Sequence, residues 1–258
     1  MGIRITTKNE EQFKLMRRAG QIVAEALQLM REAAVAGATT RQLDEIAYQH
    51  IRKSGAIPSF KGYGGQGTDQ PKYPATICAS VNDEVVHGIP DDVPLKPGDL
   101  LSLDCGAIYR GYHGDAAISL AIGPVSEVTQ HLLVAGEESL RRGIAAAKVG
   151  AHIGAISNAI QTYAEAEGFR LVFDYGGHGI GTAMHEDPHV PNYGRPQDGM
   201  LIREGMALAI EPMLSAGSPS MTLDQDGWTL RTSDGAWASH FEHTIGFTAD
   251  GPVIFTIL

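Results

Sequence analysis

Four carboxylates recur at matching places in the two halves of the chain. Leu95-Lys96-Pro97-Gly98-Asp99-Leu100-Leu101-Ser102-Leu103-Asp104 aligns with Ile202-Arg203-Glu204-Gly205-Met206-Ala207-Leu208-Ala209-Ile210-Glu211. Both segments read apolar, basic, any residue, Gly, then an apolar run closed by an acid. A second match follows: His113-Gly114-Asp115 with Ile118 and Leu120, against His240-Phe241-Glu242 with Ile245 and Phe247. An internal two-fold would bring Asp104, Asp115, Glu211 and Glu242 together. Such a cluster would repel itself and take up protons unless cations neutralise it, and two divalent ions match its four charges. His178, set in Gly176-Gly177-His178-Gly179-Ile180-Gly181, is the best candidate for a nitrogen ligand, because the glycines let the backbone approach the site closely. A lone acid is more often a solvated turn residue. These acids, however, end or interrupt apolar runs, where an uncompensated charge is costly.

The donor set is rich in oxygen, with one nitrogen and no thiolate, which suits Mn, Fe, Co or Zn and argues against a structural zinc site. Two bridged ions would lower the pKa of a shared water and polarise a carbonyl. The implied chemistry is hydrolysis, with amide, ester and phosphoester substrates all open at this point. His87-Gly88-Ile89-Pro90 and His185-Glu186-Asp187-Pro188 form another symmetric pair, each upstream of its half's acid segment. Imidazoles on either side of a metal cage could donate hydrogen bonds to a substrate carbonyl and to developing negative charge. His113, His240 and His243 flank the acids, where a supporting role toward the ligands is open. His50, His131, His152 and His189 read as surface residues.

The elements that must position these residues follow from hydrophobic spacing. Residues 10–35 predict a helix through Phe13, Met16, Ile22, Val23, Ala26, Leu27 and Met30. Thr39 or Thr40 can cap a second helix that Gly55 closes. A similar helical pair is expected over residues 126–149 and 153–168, with Gly37-Ala38 and Gly150-Ala151 preceding the shorter helices. Leu100 to Leu103 and Ala207 to Ile210 predict strands, and Ala116 to Ile122 and Thr244 to Thr248 predict returning strands. Tyr109-Arg110-Gly111-Tyr112 predicts a hairpin that sets Asp104 and Asp115 side by side. The segment between Glu211 and Glu242 is expected to be a long, turn-rich loop, and residues 61–72, including Gly62, Gly64, Gly65 and Gly67, another.

The 258 residues suffice for a substantial core, and a hydrophobic content of 43% is ordinary for a globular chain. A net charge of −10 argues against a sequence-independent nucleic-acid binder. No apolar stretch approaches the roughly 20 residues that span a bilayer, and no signal peptide is visible. Cys78 and Cys105 have no ligand-like spacing and form no disulfide framework, so a reducing, cytoplasmic setting is expected.

Taken together, Val86-His87-Gly88-Ile89-Pro90, Leu103-Asp104, His113-Gly114-Asp115, Gly177-His178-Gly179-Ile180-Gly181, Met184-His185-Glu186, Ile210-Glu211-Pro212 and Phe241-Glu242-His243-Thr244 resemble the type I methionine aminopeptidases nearly end to end. The resemblance implies an α/β (α+β) pita-bread fold with internal pseudo-two-fold symmetry, an antiparallel sheet core and helices outside. It implies a single metallopeptidase domain over residues 1–258, with pseudo-repeats at roughly 10–123 and 126–251. Asp104 would chelate one ion, Asp115 and Glu242 would bridge two, and His178 and Glu211 would complete the other shell. Glu211 would also serve as general base. His87 would contact the scissile amide nitrogen and His185 would steady the tetrahedral intermediate. Tyr73, Cys78 and Trp228 would line the methionine pocket. The substrates would be peptides and nascent polypeptides with an N-terminal methionine before a small residue, with a transient ribosome contact and a monomeric enzyme. The chain's own Met1-Gly2 fits that substrate pattern.

The pattern narrows further to a minimal, bacterial-type enzyme. No zinc-finger or SH3-ligand extension precedes the first helix, and no large helical insertion of the type II branch separates His185 from Glu211. Two alternatives remain at this point. An Xaa-Pro aminopeptidase or dipeptidase of the same fold usually carries a further N-terminal domain, for which this chain has no room. A non-catalytic peptide-binding module of this fold would tend to lose ligands that are all present here.

Overall fold

The computed structural model describes residues 5–65 and 70–258. Met1, Gly2 and the loop residue Gly67 lie outside them. Four helices carry the predicted apolar faces: α1 (Glu10–Ala33), α2 (Thr40–Lys53), α3 (Glu127–Ala146) and α4 (Ile153–Ala166). Asn9 and Thr39 start α1 and α2 with reciprocal caps to Gln12 and Gln42, and Ser126 caps α3 through the Thr129 amide. Before α3 come β1 (Ile57–Pro58), β2 (Ile77–Val81), β3 (Glu84–Val86), β4 (Leu100–Tyr109) and β5 (Tyr112–Ala121). After α4 come β6 (Arg170–Leu171), β7 (Gly176–Gly179), β8 (Glu186–Pro191), β9 (Ala207–Ile210) and β10 (Met213–Ser215). The chain continues through β11 (Met221–Leu223), β12 (Leu230–Thr232), β13 (Ala238–His240), β14 (Glu242–Thr248) and β15 (Gly251–Ile254).

The main sheet is antiparallel and runs β2-β4-β5-β14-β9-β7-β8, with β1 also on β4 and β15 also on β14. Its middle is the β5–β14 seam, and the two halves repeat outward from there. The sequence repeat is a repeat of hydrogen bonds. Gly37 N donates to Leu95 O at 2.8 Å, and Gly150 N donates to Ile202 O at 2.9 Å. The return bonds, Leu95 N to Ala38 O and Ile202 N to Ala151 O, are both 2.8 Å. Each half also has its own apolar core. Ile22, Val23, Met30, Leu43, Ile51, Leu101 and Leu103 pack in the first. Leu132, Ile156, Ile160, Leu208, Ile210 and Ile245 pack in the second.

Two differences from the sequence reading bear on the site. The acid runs are not strand ends throughout, because β4 continues past Asp104 to Tyr109 before the Arg110-Gly111 turn. Asp104 therefore pairs with Ala117, and Asp115 pairs with Gly106, so the two acids are diagonal neighbours rather than direct partners. The segment between Glu211 and Glu242 is not a loop but holds β10 to β13. These three-residue strands are too short to display an alternating pattern.

β7 shows why glycine flanks His178. A Cβ on Gly177 would lie 2.2 Å from the Ala209 carbonyl oxygen of β9 and 3.2 Å from Val190 Cβ. Backbone on one side and a packed strand on the other leave no room to yield. Gly177→Ala is expected to cost about 1–3 kcal/mol, a fall in thermal midpoint of about 3–10 °C for a chain of this size. An unchanged melting curve would contradict this close approach.

Candidate active site

The five proposed metal ligands, both proposed catalytic histidines and the three proposed pocket residues line a single cavity of about 710 Å³. Asp104 comes from β4, Asp115 from β5, His178 from β7 and Glu242 from the start of β14, while Glu211 directly follows β9. The cluster thus straddles the central seam. Thr244 fastens that seam beside Asp115, its Oγ1 accepting from the Asp115 amide at 3.0 Å and donating to the Asp115 carbonyl at 2.8 Å.

Asp115, His178, Glu211 and Glu242 are each buried. Burial pushes the Asp104 carboxyl up to about 7, with His240 tempering the rise and Glu211 adding to it. Asp115 is driven well above the usual range by burial and then by the Asp104 and Glu211 charges. Glu242 is raised by burial and by Asp115. Burial pushes Glu211 upward too, but the imidazoles of His240 and His178 outweigh it and hold this carboxyl low. Without cations, therefore, burial favours the protonated form at Asp115 and Glu242, Asp104 titrates near neutrality, and Glu211 stays ionised.

The residues fit divalent ions by two observations. Asp104 Oδ1, Asp115 Oδ1 and Glu242 Oε1 are buried without a hydrogen-bond partner, an expensive state that a cation relieves. One donor atom from each of Asp115, His178 and Glu242 falls within 4.8 Å of the others, as do donors of Glu211, His240 and Glu242. The His178 ring is oriented as a ligand should be. Its Nδ1 donates to Gly179 O at 2.9 Å, which leaves the Nε2 lone pair toward the cluster, 3.6 Å from Glu211 Oε1.

His87 and His185 approach from the cavity's other walls. His87 has a left-handed backbone, φ +62°, a conformation that costs a non-glycine residue about 1 kcal/mol or more. Its neighbour Gly88 holds it there, with Gly88 N donating to Ser80 Oγ at 3.1 Å and Gly88 O accepting from Ala79 N at 2.9 Å. The Tyr73 hydroxyl, at 2.8 Å, is a third tie to Gly88. Burial lowers the His87 pKa to about 4, and burial followed by His178 does the same for His185. Both are neutral rings at pH 7. The His178 and His185 ring centroids are 4.3 Å apart.

Tyr73, Cys78 and Trp228 form one apolar cluster with Phe60, Ala75 and Met184 beside the carboxylates. Tyr73 and Trp228 meet edge to face at 5.2 Å, and Trp228 Nε1 donates to Pro71 O at 2.9 Å. Burial keeps the Cys78 thiol protonated and inert. The Gly-rich loop is closed at its neck, with Tyr73 N donating to Tyr63 O at 2.9 Å and Gly62 N to Tyr73 O at 2.8 Å. Its Tyr63 hydroxyl lies 2.6 Å from His185 Nδ1.

Sequence reasoning missed Phe60, Tyr63 and Met184 as cavity residues. Met184 adjoins His185 and was within reach, but nothing local to Tyr63 announces its contact. His189, read as a surface residue, is exposed but also lines the cavity rim. His50, read the same way, is half-buried with Nε2 3.0 Å from a Glu25 carboxylate oxygen. The His185 segment is strapped from the N-terminal side: Lys8 Nζ lies 2.8 Å from Glu186 Oε2, both side chains being less than a tenth exposed, and the Thr6 hydroxyl donates to the same oxygen. Lys8→Met would strand a buried carboxylate, and a loss of about 3 kcal/mol in urea unfolding is expected. A loss below about 1 kcal/mol would show that Thr6 and the Ala183 amide, which donates to Glu186 Oε1 at 3.1 Å, suffice.

Comparison with known proteins agrees with this geometry. The family model for metallopeptidase family M24 matches residues 14–249. A methionine aminopeptidase of Clostridium acetobutylicum is 47% identical over 254 residues, covering 98% of this chain and 99% of that one. The crystal structure of methionine aminopeptidase from Thermotoga maritima superposes with a TM-score of 0.94 at 41% identity, covering 99% and 100% of the two chains. A prolidase from Pyrococcus furiosus shares the fold alone, with a TM-score of 0.78 at 21% identity over 98% of this chain and 65% of that one. Matched along nearly its whole length, and carrying its acids and histidines around one cavity, the chain belongs to metallopeptidase family M24.

Proposed function

We propose that the protein is a metal-dependent aminopeptidase that removes N-terminal methionine from peptides and nascent polypeptides when the second residue is small. The observation that carries this reading is the junction of a buried carboxylate–imidazole cluster with an apolar pocket inside one cavity. Asp104, Asp115, His178, Glu211 and Glu242 would together hold a pair of divalent ions. Co, Mn, Fe or Zn all suit these donors. Bound there, the ions supply a water of lowered pKa and polarise the scissile carbonyl.

The protein's own groups do the rest. Glu211, the carboxylate held ionised, takes the proton of the attacking water and returns it to the leaving nitrogen as the C–N bond breaks. Neutral His185 donates to the oxygen on which negative charge develops, and neutral His87 steadies the scissile amide nitrogen. Tyr73, Cys78 and Trp228, with Phe60 and Met184, enclose the unbranched methionine side chain in a dry slot. The catalytic unit spans residues 1–258 and acts as a monomer in the cytoplasm, meeting its substrates at the ribosome. Among the described residues no helix is long and apolar enough to cross a membrane, and Cys78 and Cys105 are both free thiols.

A peptide panel with defined metals tests reaction and specificity together. Met-Gly-x peptides are expected to be cleaved at least about tenfold faster, in kcat/KM, than peptides with another large apolar first residue, which fill the pocket less well. Faster hydrolysis of x-Pro bonds would instead identify a prolidase-like enzyme.

A further inference from the structure

His240 is the one histidine at the cluster to which the ligand set above gives no role. It ends β13, two residues before Glu242, and it is almost completely buried. Its Nε2 has no hydrogen-bond partner, the same condition that marks the ligand carboxylates. That atom lies 3.3 Å from Glu211 Oε2 and 4.0 Å from Glu242 Oε2. Glu211 is therefore faced by two imidazoles, His178 at one oxygen and His240 at the other.

Two donors held about 2.0–2.2 Å from one ion stand about 3–3.6 Å apart. The Glu211–His240 separation falls in that span, and a small rotation of the Glu242 carboxyl closes the remaining gap. The position is also built. The Ser119 hydroxyl accepts from His240 N at 2.9 Å and donates to His240 O at 2.9 Å, and Ser102 Oγ supports Ser119 at 2.7 Å. The counterpart of His240 in the first half makes a telling contrast. His113 occupies the same place in the repeat, but its Nδ1 is bonded to Ser59 Oγ at 2.9 Å, and its ring has a protein partner. Only the second half delivers an unpartnered imidazole to the seam.

We propose that His240 is an additional nitrogen ligand of the ion held by Glu211 and Glu242, with which its ring forms one compact donor group. The proposal rests on the metallopeptidase reading above and makes the two ion positions chemically unequal. The Asp104 end offers oxygen alone, while the Glu211 end offers two imidazoles. A second nitrogen favours Co, Fe and Zn over Mn at that end.

The test uses the full-length protein, stripped with a chelator, labelled with 15N-histidine and reloaded with two equivalents of Co(II). Two strongly shifted imidazole N–H signals are expected in the paramagnetic NMR spectrum, one from His178 and one from His240. His240→Gln should remove one of them and weaken one Co(II)-binding step by about tenfold or more in calorimetry, with far-UV circular dichroism unchanged. The wild-type count stands whether or not the variant folds. A single shifted imidazole in the wild type, or equal Co(II) affinities in a folded variant, overturns the proposal while leaving the metal site intact. If the loaded protein shows no shifted imidazole, the metallopeptidase reading falls with it.

Discussion

Glu211→Gln is expected to lower kcat on a Met-Gly-x peptide by about 10²–10⁴-fold with little change in KM. The substitution preserves the volume and one carbonyl-type donor, so the apolar pocket that binds the methionine side chain is untouched. It removes the only carboxylate of the cluster whose surroundings keep it ionised. Burial pushes the other three upward, toward the protonated form. Loss of charge also weakens ion binding at this end, so metal content must be measured on the same preparation. Near-normal kcat in a variant that retains its metal would refute the assigned base. A fall in kcat that tracks metal loss alone would reduce Glu211 to a ligand.

Removing divalent ions with a chelator is expected to abolish hydrolysis and to lower the thermal midpoint by about 10 °C. An ion present at 1,000 times its dissociation constant adds about 4 kcal/mol to the native state, and a chain of this length shifts by about 2–4 °C per kcal/mol. The pH dependence of reloading has a definite sign. Asp104 titrates near 7 in the ion-free protein, and Asp115 and Glu242 lie well above their ordinary values. Below pH 7 these groups hold protons that an incoming cation must expel. Apparent affinity therefore falls as pH drops from 7.5 to 5.5, by about tenfold per pH unit for each proton released. Calorimetry at one pH in two buffers of different ionisation enthalpy counts those protons. Identical heats in both buffers would contradict the raised carboxyl groups.

The site was more legible than the fold around it. Acids closing apolar runs are costly, and their recurrence at matched places leaves few arrangements besides a common cage. For that reason Asp104, Asp115, Glu211 and Glu242 could be grouped before any strand order was known. The helices were legible to within two or three residues because a steady apolar stripe marks them, and a cap such as Thr39 marks the start of α2. The small strands β10 to β13 were not, since three residues carry no period and their pairing is decided by β3 and β6, distant in sequence. His113 and His240 show the limit of repeat logic. Both obey one pattern, yet Ser59 binds the first ring and only the second faces the carboxylates, a difference made by tertiary neighbours. The same holds for Tyr63, whose contact with His185 depends on how the Gly-rich loop folds back.

The carboxylate–imidazole cluster draws its side chains from both halves of the molecule. Asp104 and Asp115 ride on the half packed around Leu101 and Leu103, and His178, Glu211 and Glu242 ride on the half packed around Leu208 and Ile245. β5 and β14 are in register only through Glu242 with Ala117 and His243 with Ala116. An ion ligated from both sides would be a clasp across that seam, beside the contacts that Phe13 and Met16 of α1 already make with Ile180, Ala207 and Phe255. Loss of such a clasp would be felt in both halves at once, as one cooperative unfolding at a lower temperature.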